Sequence, residues 1–183
     1  MVDIAAGVLL ISDPFLKDPN FLRSVVLLCD YQPEGSIGFI LNKTYDQPLG
    51  DFVEDLAYHN LPLYYGGPVA VDTIHFLHRC PELITDGIEI TDGIFWGGDF
   101  NQASELLQEK KIGSSDIRFF IGYSGWGSTQ LEEELKTKSW IKRESNQKLV
   151  FNTKPNLIWR DALGDLGGEY SQMVNYPLDP QFN

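Results

Sequence analysis

The chain has 183 residues, of which 43% are hydrophobic, so we expect one domain over residues 1–183 that buries its own core without disulfides or metals. Its net charge of −12 disfavours direct binding to nucleic acid and to anionic membranes. The apolar run over residues 4–11 is too short to span a bilayer and lacks the basic start of a signal peptide, which predicts a cytoplasmic protein.

The first third of the chain predicts three strands and one helix. Short, almost continuously apolar runs indicate strands over 7–11, 24–29 and 36–42. The loop over 31–35 is so short that the second and third of these strands should form a hairpin. Apolar residues then recur at helical spacing over 48–58, which predicts a short helix.

The middle third predicts a second group of strands followed by a capped helix. Apolar runs indicate strands over 63–65, 73–77, 88–90 and 94–96. Gly66-Gly67-Pro68 ends the first of them, and Asp92-Gly93 between the last two is a strong hairpin signal. The helix should begin after Asp99 as its N-cap, with Gln102 as the capping-box partner, and should end before Gly113 as its C′ residue.

The following segment predicts a strand over 116–123, a glycine-rich turn at 125–127 and another helix. A capping box of Thr129 and Glu132 should open this helix, which reaches about Lys138.

The last part predicts a strand over 149–151, a helix over 155–163 that Gly164 stops, and a coil over 176–183. Strands and helices alternate irregularly along the chain as a whole. This order lacks the regular βαβ alternation of a doubly wound sheet and favours the α+β class.

The segment from Gly122 to Gly127 invites an enzymatic interpretation. A nucleophile elbow places its serine in G-x-S-x-G between a strand and a helix, but here the second glycine follows Trp126, one position late. The spacing also fails the G-x-G-x-x-G fingerprint of dinucleotide binding. Backbone N–H groups at such a turn can hold an anion, but we favour a structural turn with Trp126 packed on the core, and we assign no catalytic residue.

The sequence Gly97-Gly98-Asp99-Phe100 is similar to the signature loop of diguanylate cyclases. It lacks the acidic residue that should stand between Asp99 and Phe100. A helix cap accounts for Asp99 fully, so we do not predict cyclase activity.

Histidines and cysteines show no metal-binding spacing, and we expect neither a metal nor a cofactor. His75 and His78 lie three residues apart on a predicted strand and therefore face opposite sides. One should face the core, and the other solvent or a cleft. Cys29 and Cys80 should be free thiols.

Arg23 stands at the entry of the apolar strand over 24–29. A charged group beside a buried segment usually needs a carboxylate partner, and Asp13, Asp18 and Asp30 are near in sequence. We expect a structural ion pair, and anion recognition is the alternative.

Residues 136–160 are basic although the chain as a whole is acidic. Against Glu144 alone stand Lys136, Lys138, Lys142, Arg143, Lys148, Lys154 and Arg160. Trp140 and Trp159 lie among them, and basic residues interleaved with aromatic ones can bind nucleic acid. We favour a solvated surface, because the rest of the chain is acidic and no helix-turn-helix spacing appears.

Several segments together resemble the AlgH/YqgE family of bacterial proteins. They are Asp18-Pro19-Asn20-Phe21, Arg23-Ser24-Val25, Gly38 to Leu41-Asn42, Gly66-Gly67-Pro68-Val69, Phe76-Leu77-His78, Gly122-Tyr123-x-Gly125-Trp126, Gln130-Leu131-Glu132-x-Glu134, Trp140, and Tyr176-Pro177-x-Asp179-Pro180. Their order and spacing cover nearly the whole chain, from which we expect it to be essentially full length.

The resemblance implies an α+β fold whose mixed, mostly antiparallel and bifurcated sheet curls into a pseudo-barrel with helices outside. It implies no known chemistry, because the family's label of transcriptional regulator names no DNA-binding motif. Similar sequences commonly have alanine where this chain has Ser124, which argues further against a serine nucleophile.

We therefore expect a regulatory or interaction protein, and not an enzyme, that contacts a protein or a small ligand rather than DNA. One alternative is a small-molecule binder or enzyme with a glycine-rich cleft shared by Gly66-Gly67-Pro68 and Gly125-Trp126-Gly127. The other is a nucleic-acid binder that uses residues 136–160. The predicted binding residues are Arg23, Asn42, Gly66, Gly67, Pro68, His78, Gly125, Trp126 and Gly127.

Overall fold

The structure is a computed structural model that describes residues 2–177. Its strands, in chain order, are β1 (Val8–Ser12), β2 (Val25–Gln32), β3 (Gly35–Ile40), β4 (Leu63–Tyr65), β5 (Val69–His78), β6 (Ile88–Thr91), β7 (Ile94–Trp96), β8 (Ile117–Gly127) and β9 (Trp140–Glu144). Its α-helices are α1 (Phe100–Gln108), α2 (Gln130–Lys136), α3 (Gln147–Val150), α4 (Pro155–Gly164) and α5 (Gly168–Met173). The coil predicted over 176–183 lies, beyond Pro177, outside the described residues.

The strands form one curled, mostly antiparallel sheet in the order β6-β7-β5-β8-β3-β2-β1-β9, with β4 as a branch parallel to β8. Strand β8 is the point of bifurcation, because its first half pairs with β4 and β5 and its second half pairs with β3. The sheet curls far enough for Leu9 of β1 and Ile94 of β7 to share one core. This half-barrel with helices around it confirms the expected α+β fold with a bifurcated sheet.

Strand alternation divides the apolar side chains between the inside and the outside of the half-barrel. Along β1, Leu9 and Ile11 join the inner core, whereas Val8 and Leu10 join a core on the outer face. Helices α3 and α4 fill the inside, and helices α1 and α2 each cover a part of the outside. The interior is thus occupied by the chain's own side chains.

One carboxylate organises the outer core beneath α2. The Oε2 atom of Glu134 accepts the indole N–H of Trp126 at 2.9 Å and that of Trp140 at 2.7 Å. Phe21 stacks on Trp126 at 6.1 Å between ring centroids and meets Trp140 edge-on at 5.4 Å. Helix α2 therefore ties strand β8 to strand β9 through these rings.

A buried guanidinium joins the sheet to the helices inside it. Arg118 of β8 is almost completely buried and lies over the ring of Tyr64 at 4.2 Å. It donates to the carbonyls of Leu41, at 2.8 Å, and of Asn152, in the link between α3 and α4. Desolvation by burial lowers the pKa of Arg118 to about 10, so the group is still charged at neutral pH.

The helix predicted over 48–58 is wrong. The chain forms two 3-10 turns instead, Leu49–Asp51 and Glu54–Leu56, separated by an extended Val53. Gly50 packs so closely on the second turn that a Cβ atom there would lie 2.8 Å from the carbonyl oxygen of Leu56. The apolar spacing is real, because Leu49 and Leu56 are buried, but the chain folds back before a helix can form.

The cap predicted at Asp99 is confirmed, and its partners differ from the prediction. Asp99 Oδ1 accepts the backbone N–H of Gln102 at 3.1 Å. The Gln102 side chain accepts from the Thr85 N–H at 2.8 Å and so does not complete the capping box. Helix α1 ends at Gln108, and Lys110 with a φ of 56°, rather than Gly113, takes the left-handed position after it.

The second predicted capping box is wrong. Thr129 has a left-handed φ of 64°, and its side chain makes no capping hydrogen bond to α2. The side chain of Gln130 accepts the N–H of Gly127 at 3.1 Å instead. Strand β8 extends to Gly127, so the glycine-rich turn predicted at 125–127 is also wrong.

The region after α2 differs most from the prediction. Strand β9 and helix α5 were not predicted, whereas the helix predicted over 155–163 is present as α4. The strand predicted over 149–151 is instead the end of helix α3 and Phe151, because Asn146 Oδ1 caps α3 by accepting the Leu149 N–H at 2.9 Å.

Three strand boundaries also differ. Strands β2 and β3 continue to Gln32 and Gly35, so the predicted loop over 31–35 is a turn at 33–34. Strand β5 begins at Val69 rather than near residue 73, with an irregularity in its pairing before Ile74.

Replacing Glu134 tests its place in the outer core. Glu134→Ala leaves two buried indole N–H groups without an acceptor and should lower the free energy of unfolding by about 2–4 kcal/mol. Glu134→Gln keeps an acceptor oxygen and should lose about half as much. Urea denaturation measures both, with exposed Glu133→Ala as the matched control. Equal stability of Glu134→Ala and Glu133→Ala would contradict the role assigned to Glu134.

Candidate functional site

Asn42 and Arg23 act together in the structure, at the start of strand β2. Asn42 accepts the Val25 N–H at 2.8 Å and donates to the Arg23 carbonyl at 2.8 Å. This clamp holds Arg23 at a left-handed φ of 48°. The guanidinium lies 4.8 Å over the ring of Trp159 and donates to the Tyr176 carbonyl. Within residues 2–177 no carboxylate pairs with Arg23, so the structure does not support the predicted ion pair.

The glycines of Gly66-Gly67-Pro68 let the chain cross the backbone of strand β8. A Cβ atom on Gly66 would lie 2.3 Å from the Gly122 carbonyl oxygen, and one on Gly67 would lie 2.3 Å from the Ser124 nitrogen. Gly66 and Gly67 are buried by this contact, and only Pro68 is exposed. The first two therefore line no surface cleft.

Ser124 is a buried strand residue. Its hydroxyl donates to the Gly66 carbonyl at 3.0 Å, and the residue has no exposed surface. The nucleophile-elbow interpretation is wrong because β8 runs straight on to Gly127 instead of turning at the serine.

The segment Gly125-Trp126-Gly127 pairs with strand β3, and its successive residues face opposite sides of the sheet. Trp126 is only 4% exposed and belongs to the outer core. Gly125 lines an open surface groove of about 440 Å³ together with Val69 and Tyr123. The two glycine segments meet across β8 through backbone packing, so the shared cleft predicted between them is wrong.

The two strand histidines face opposite sides, as expected. His78 is fully buried, stacks on Phe95 at 5.5 Å between ring centroids, and accepts the Cys80 N–H at Nδ1. His75 is partly buried beside Phe39 at 5.2 Å, with its Nε2 3.2 Å from the Thr73 hydroxyl. Desolvation by burial lowers the pKa of both histidines.

Neither cysteine has the features of a reactive thiol. Cys29 and Cys80 are buried and free, as predicted. Burial raises the pKa of both thiols, and the neighbouring Asp30 adds to the effect at Cys29. Within residues 2–177 no group of three or more histidine, cysteine or acidic side chains is placed to hold a metal ion.

The basic segment 136–160 does not form the aromatic platform that nucleic-acid binding requires. Trp140 and Trp159 are each 5% exposed, and the indole of Trp159 donates to the Ser12 carbonyl at 3.1 Å. Arg143 turns inward, where it contacts the Ala162 carbonyl at 3.0 Å and the Asp165 carboxylate at 3.2 Å. The segment spreads over four elements, α2, β9, α3 and α4.

An open sheet edge is the feature that sequence reasoning missed. Strand β9 pairs with β1 alone, and the Asp13 N–H donates to the Ser139 carbonyl at 2.9 Å in the same register. Along an antiparallel strand, the N–H and C=O groups of successive residues point alternately to the two edges of the strand. In this register, Ile141 and Arg143 direct their backbone groups at β1. The residues that direct N–H and C=O outward are Trp140, Lys142 and Glu144. Within residues 2–177 no backbone group bonds to them.

A cavity of about 620 Å³ runs along this edge, and we call it the edge groove. Its apolar lining includes Val2, Ile141 of β9, and Leu166, Tyr170 and Met173 at and before helix α5. Lys138 and Lys142 also line it. The alternation at Trp140-Ile141 was the one sequence signal for β9, and the surrounding charges obscured it.

Comparison with known proteins gives a consistent assignment. The family model described as AlgH-like (DUF179) matches residues 9–171. A UPF0301 protein of Cytophaga hutchinsonii is 41% identical over 98% of this chain and 100% of its own length. The crystal structure of a Corynebacterium diphtheriae protein covers 96% of this chain and 94% of its own with a TM-score of 0.78 at 17% identity. The solution structure of the AlgH protein from Pseudomonas aeruginosa covers 97% and 98% with a TM-score of 0.72 at 23% identity.

Trp126→Ala distinguishes a core residue from a cleft residue at this position. Because the ring is buried, the variant should lose about 3–5 kcal/mol of unfolding free energy, as large cavities do. Chemical denaturation measures the loss, and Tyr58→Ala, whose ring is fully exposed, should lose almost nothing. A small loss at Trp126 would return it to the set of binding residues.

The lowered pKa values of His75 and His78 predict a loss of stability in mild acid. Below the unfolded pKa of about 6.5, histidines in the unfolded chain bind protons, whereas the folded histidines with lowered pKa values remain neutral. The free energy of unfolding should therefore decrease as the pH is lowered. Denaturation between pH 7 and about pH 5.5 should show a shallower fall for His78→Phe than for the wild type. Asn60→Gln, an exposed substitution that removes no titrating group, is the control and should keep the wild-type slope.

Proposed function

The chain belongs to the AlgH-like family, and because that membership brings no assigned chemistry, we propose from the structure that it is a cytoplasmic interaction protein without catalytic activity. It acts by binding an extended segment of a partner protein along the edge groove. The regulatory role that we expected from the sequence would follow from such a contact. Residues 1–183 form one domain in this proposal.

The observation that carries the proposal is the open outer edge of β9. Trp140, Lys142 and Glu144 direct their backbone groups outward, and the first two line the groove of about 620 Å³. The Glu144 carbonyl accepts from Arg143 Nε at 3.2 Å, whereas within residues 2–177 no hydrogen bond occupies the backbone groups of Trp140 and Lys142. An added strand would satisfy those groups, while the apolar floor would bury alternate side chains. The opposite edge strand, β6, exposes Ile88 and Glu89, and its Ile90 packs on the inner core, so it is a poorer acceptor.

The burial of the side chains that could act as nucleophiles or bases supports a non-catalytic role. Ser124, His78 and Cys29 are all buried, and the first two are held by hydrogen bonds within the fold. No helix within residues 2–177 is long and apolar enough to cross a membrane. With a net charge of −12 and both tryptophans of the basic segment buried, DNA is the least favoured partner.

A small ligand is the second candidate, and one observation favours it. The groove beside Gly125 places the ring of Tyr123 next to Val69, with Asp30 and Glu34 at its border. Such a site would suit a small cation with an apolar part. It is more open to solvent than the edge groove.

Selection of binding peptides tests the proposed function. The immobilised full chain is panned against a phage library of random ten-residue peptides, and the selected peptides are titrated against variants. Lys142→Pro removes one outward N–H without breaking the ladder to β1 and should abolish binding. Ile88→Pro, at the first residue of the other edge strand, should bind as the wild type does. Selected peptides that bind both variants equally would contradict the proposal.

Direct binding to DNA should be absent at physiological salt. A fluorescence anisotropy titration against promoter-length duplexes should show no sequence-dependent binding, and any weak binding at low salt should vanish as salt rises. Sub-micromolar, sequence-dependent binding at physiological salt would overturn this expectation and restore a literal transcription-factor role.

A further inference from the structure

Resting on the proposed function, we propose that the edge groove recognises an extended strand of defined chemistry. The partner strand carries a carboxylate opposite Lys142 and apolar side chains at the positions before and after it. Such a partner segment alternates acidic and apolar residues.

The apolar half of this pattern follows from the side of β9 that faces helix α5. Side chains on an added strand would alternate between the two faces of the sheet, as they do on β9. On the inner side they would meet Ile141 together with Leu166, Tyr170 and Met173. All four are partly buried and pack on the inner core, so an added apolar side chain would extend that core.

The acidic half of the pattern follows from cations that have no partner. Arg143 on the inner face is neutralised by Asp165 at 3.2 Å. Lys142 on the outer face and Lys138 at the end of the groove form no ion pair within residues 2–177. A carboxylate directly across from Lys142 would form an opposite-charge cross-strand pair, which stabilises a sheet.

The acidic groups of the groove do not remove this preference. Asp13 and Glu169 also line the groove, and one carboxylate oxygen of Asp13 accepts the Phe15 N–H at 2.8 Å. Glu144 shares the outer face of β9 with Lys142 two residues further on and does not line the groove. Lys142 therefore remains the charge that faces the centre of an incoming strand.

A second copy of the chain is a poor occupant of the groove. Suppose that two β9 strands pair antiparallel and that Trp140, Lys142 and Glu144 of each take part. The pairing then has its two-fold axis at Lys142, so Lys142 of one chain lies directly opposite Lys142 of the other, and like charges in that position destabilise a sheet. A lysine on an exposed edge is a common protection against such self-association. The groove thus selects a different sequence.

Amide exchange with two matched peptides tests the proposal on the full ¹⁵N-labelled chain. The probes are acetyl-Val-Glu-Val-Glu-Val-amide and the same peptide with lysine in place of glutamate. The acidic peptide should slow exchange at the backbone amides of Trp140, Lys142 and Glu144 and leave Ile141 and Arg143, already protected by β1, unchanged. The lysine peptide should bind about tenfold more weakly. Lys142→Glu should reverse the preference.

Each other outcome contradicts the proposal in a distinct way. Equal protection by both peptides would remove the acidic preference and leave the proposed function standing. Absence of protection by either peptide would overturn the recognition pattern, while the phage selection judges strand capture separately. Edge amides that are protected in the free protein would show that another part of the chain, or a second copy if protection rises with concentration, already covers the groove.

Discussion

The architecture depends on a close backbone crossing at strand β8. The first half of β8 pairs with β4, and its second half pairs with β3. Between the two halves, the chain that leaves β4 passes directly over the backbone of β8. Gly66 and Gly67 make the crossing possible, since a Cβ atom on either would lie 2.3 Å from a β8 backbone atom. The Ser124 hydroxyl fastens the crossing by donating to the Gly66 carbonyl. The bifurcation of the sheet follows from this change of partner along β8.

The filled interior directs function to the periphery. Helices α3 and α4 occupy the inside of the half-barrel, and the charged group of Arg118 reaches across to the link between them. Burying an arginine with carbonyl partners alone is costly, and here both terminal nitrogens of Arg118 donate to carbonyls while Nε has no acceptor within residues 2–177. A ligand would have to displace these helices to enter. Binding is therefore best sought at surfaces that the fold leaves incomplete, of which the outer edge of β9 is the clearest.

Local patterns in the sequence predicted the fold class and most strands, because apolar runs and the Asp92-Gly93 turn act within a few residues. Two predictions failed because a competing local contact was overlooked. Gly50 packs on the following turn and prevents a helix, and Asn146 turns an apolar run into helix α3. The candidate site failed because the deciding contact is distant in the sequence. Glycines 66 and 67 signal close approach in the sequence, but only the structure shows that the approaching group is strand β8 rather than a ligand.

Trp140 connects the edge groove to the outer core and thereby gives the protein an intrinsic optical reporter. Its backbone lines the groove, while its indole shares the carboxylate of Glu134 with Trp126 and touches Phe21. Indole emission responds to changes in nearby charge and in ring packing. A strand that docks on β9 and shifts Trp140 would therefore change the emission of two rings together, and occupancy of the edge can be followed without attaching any label.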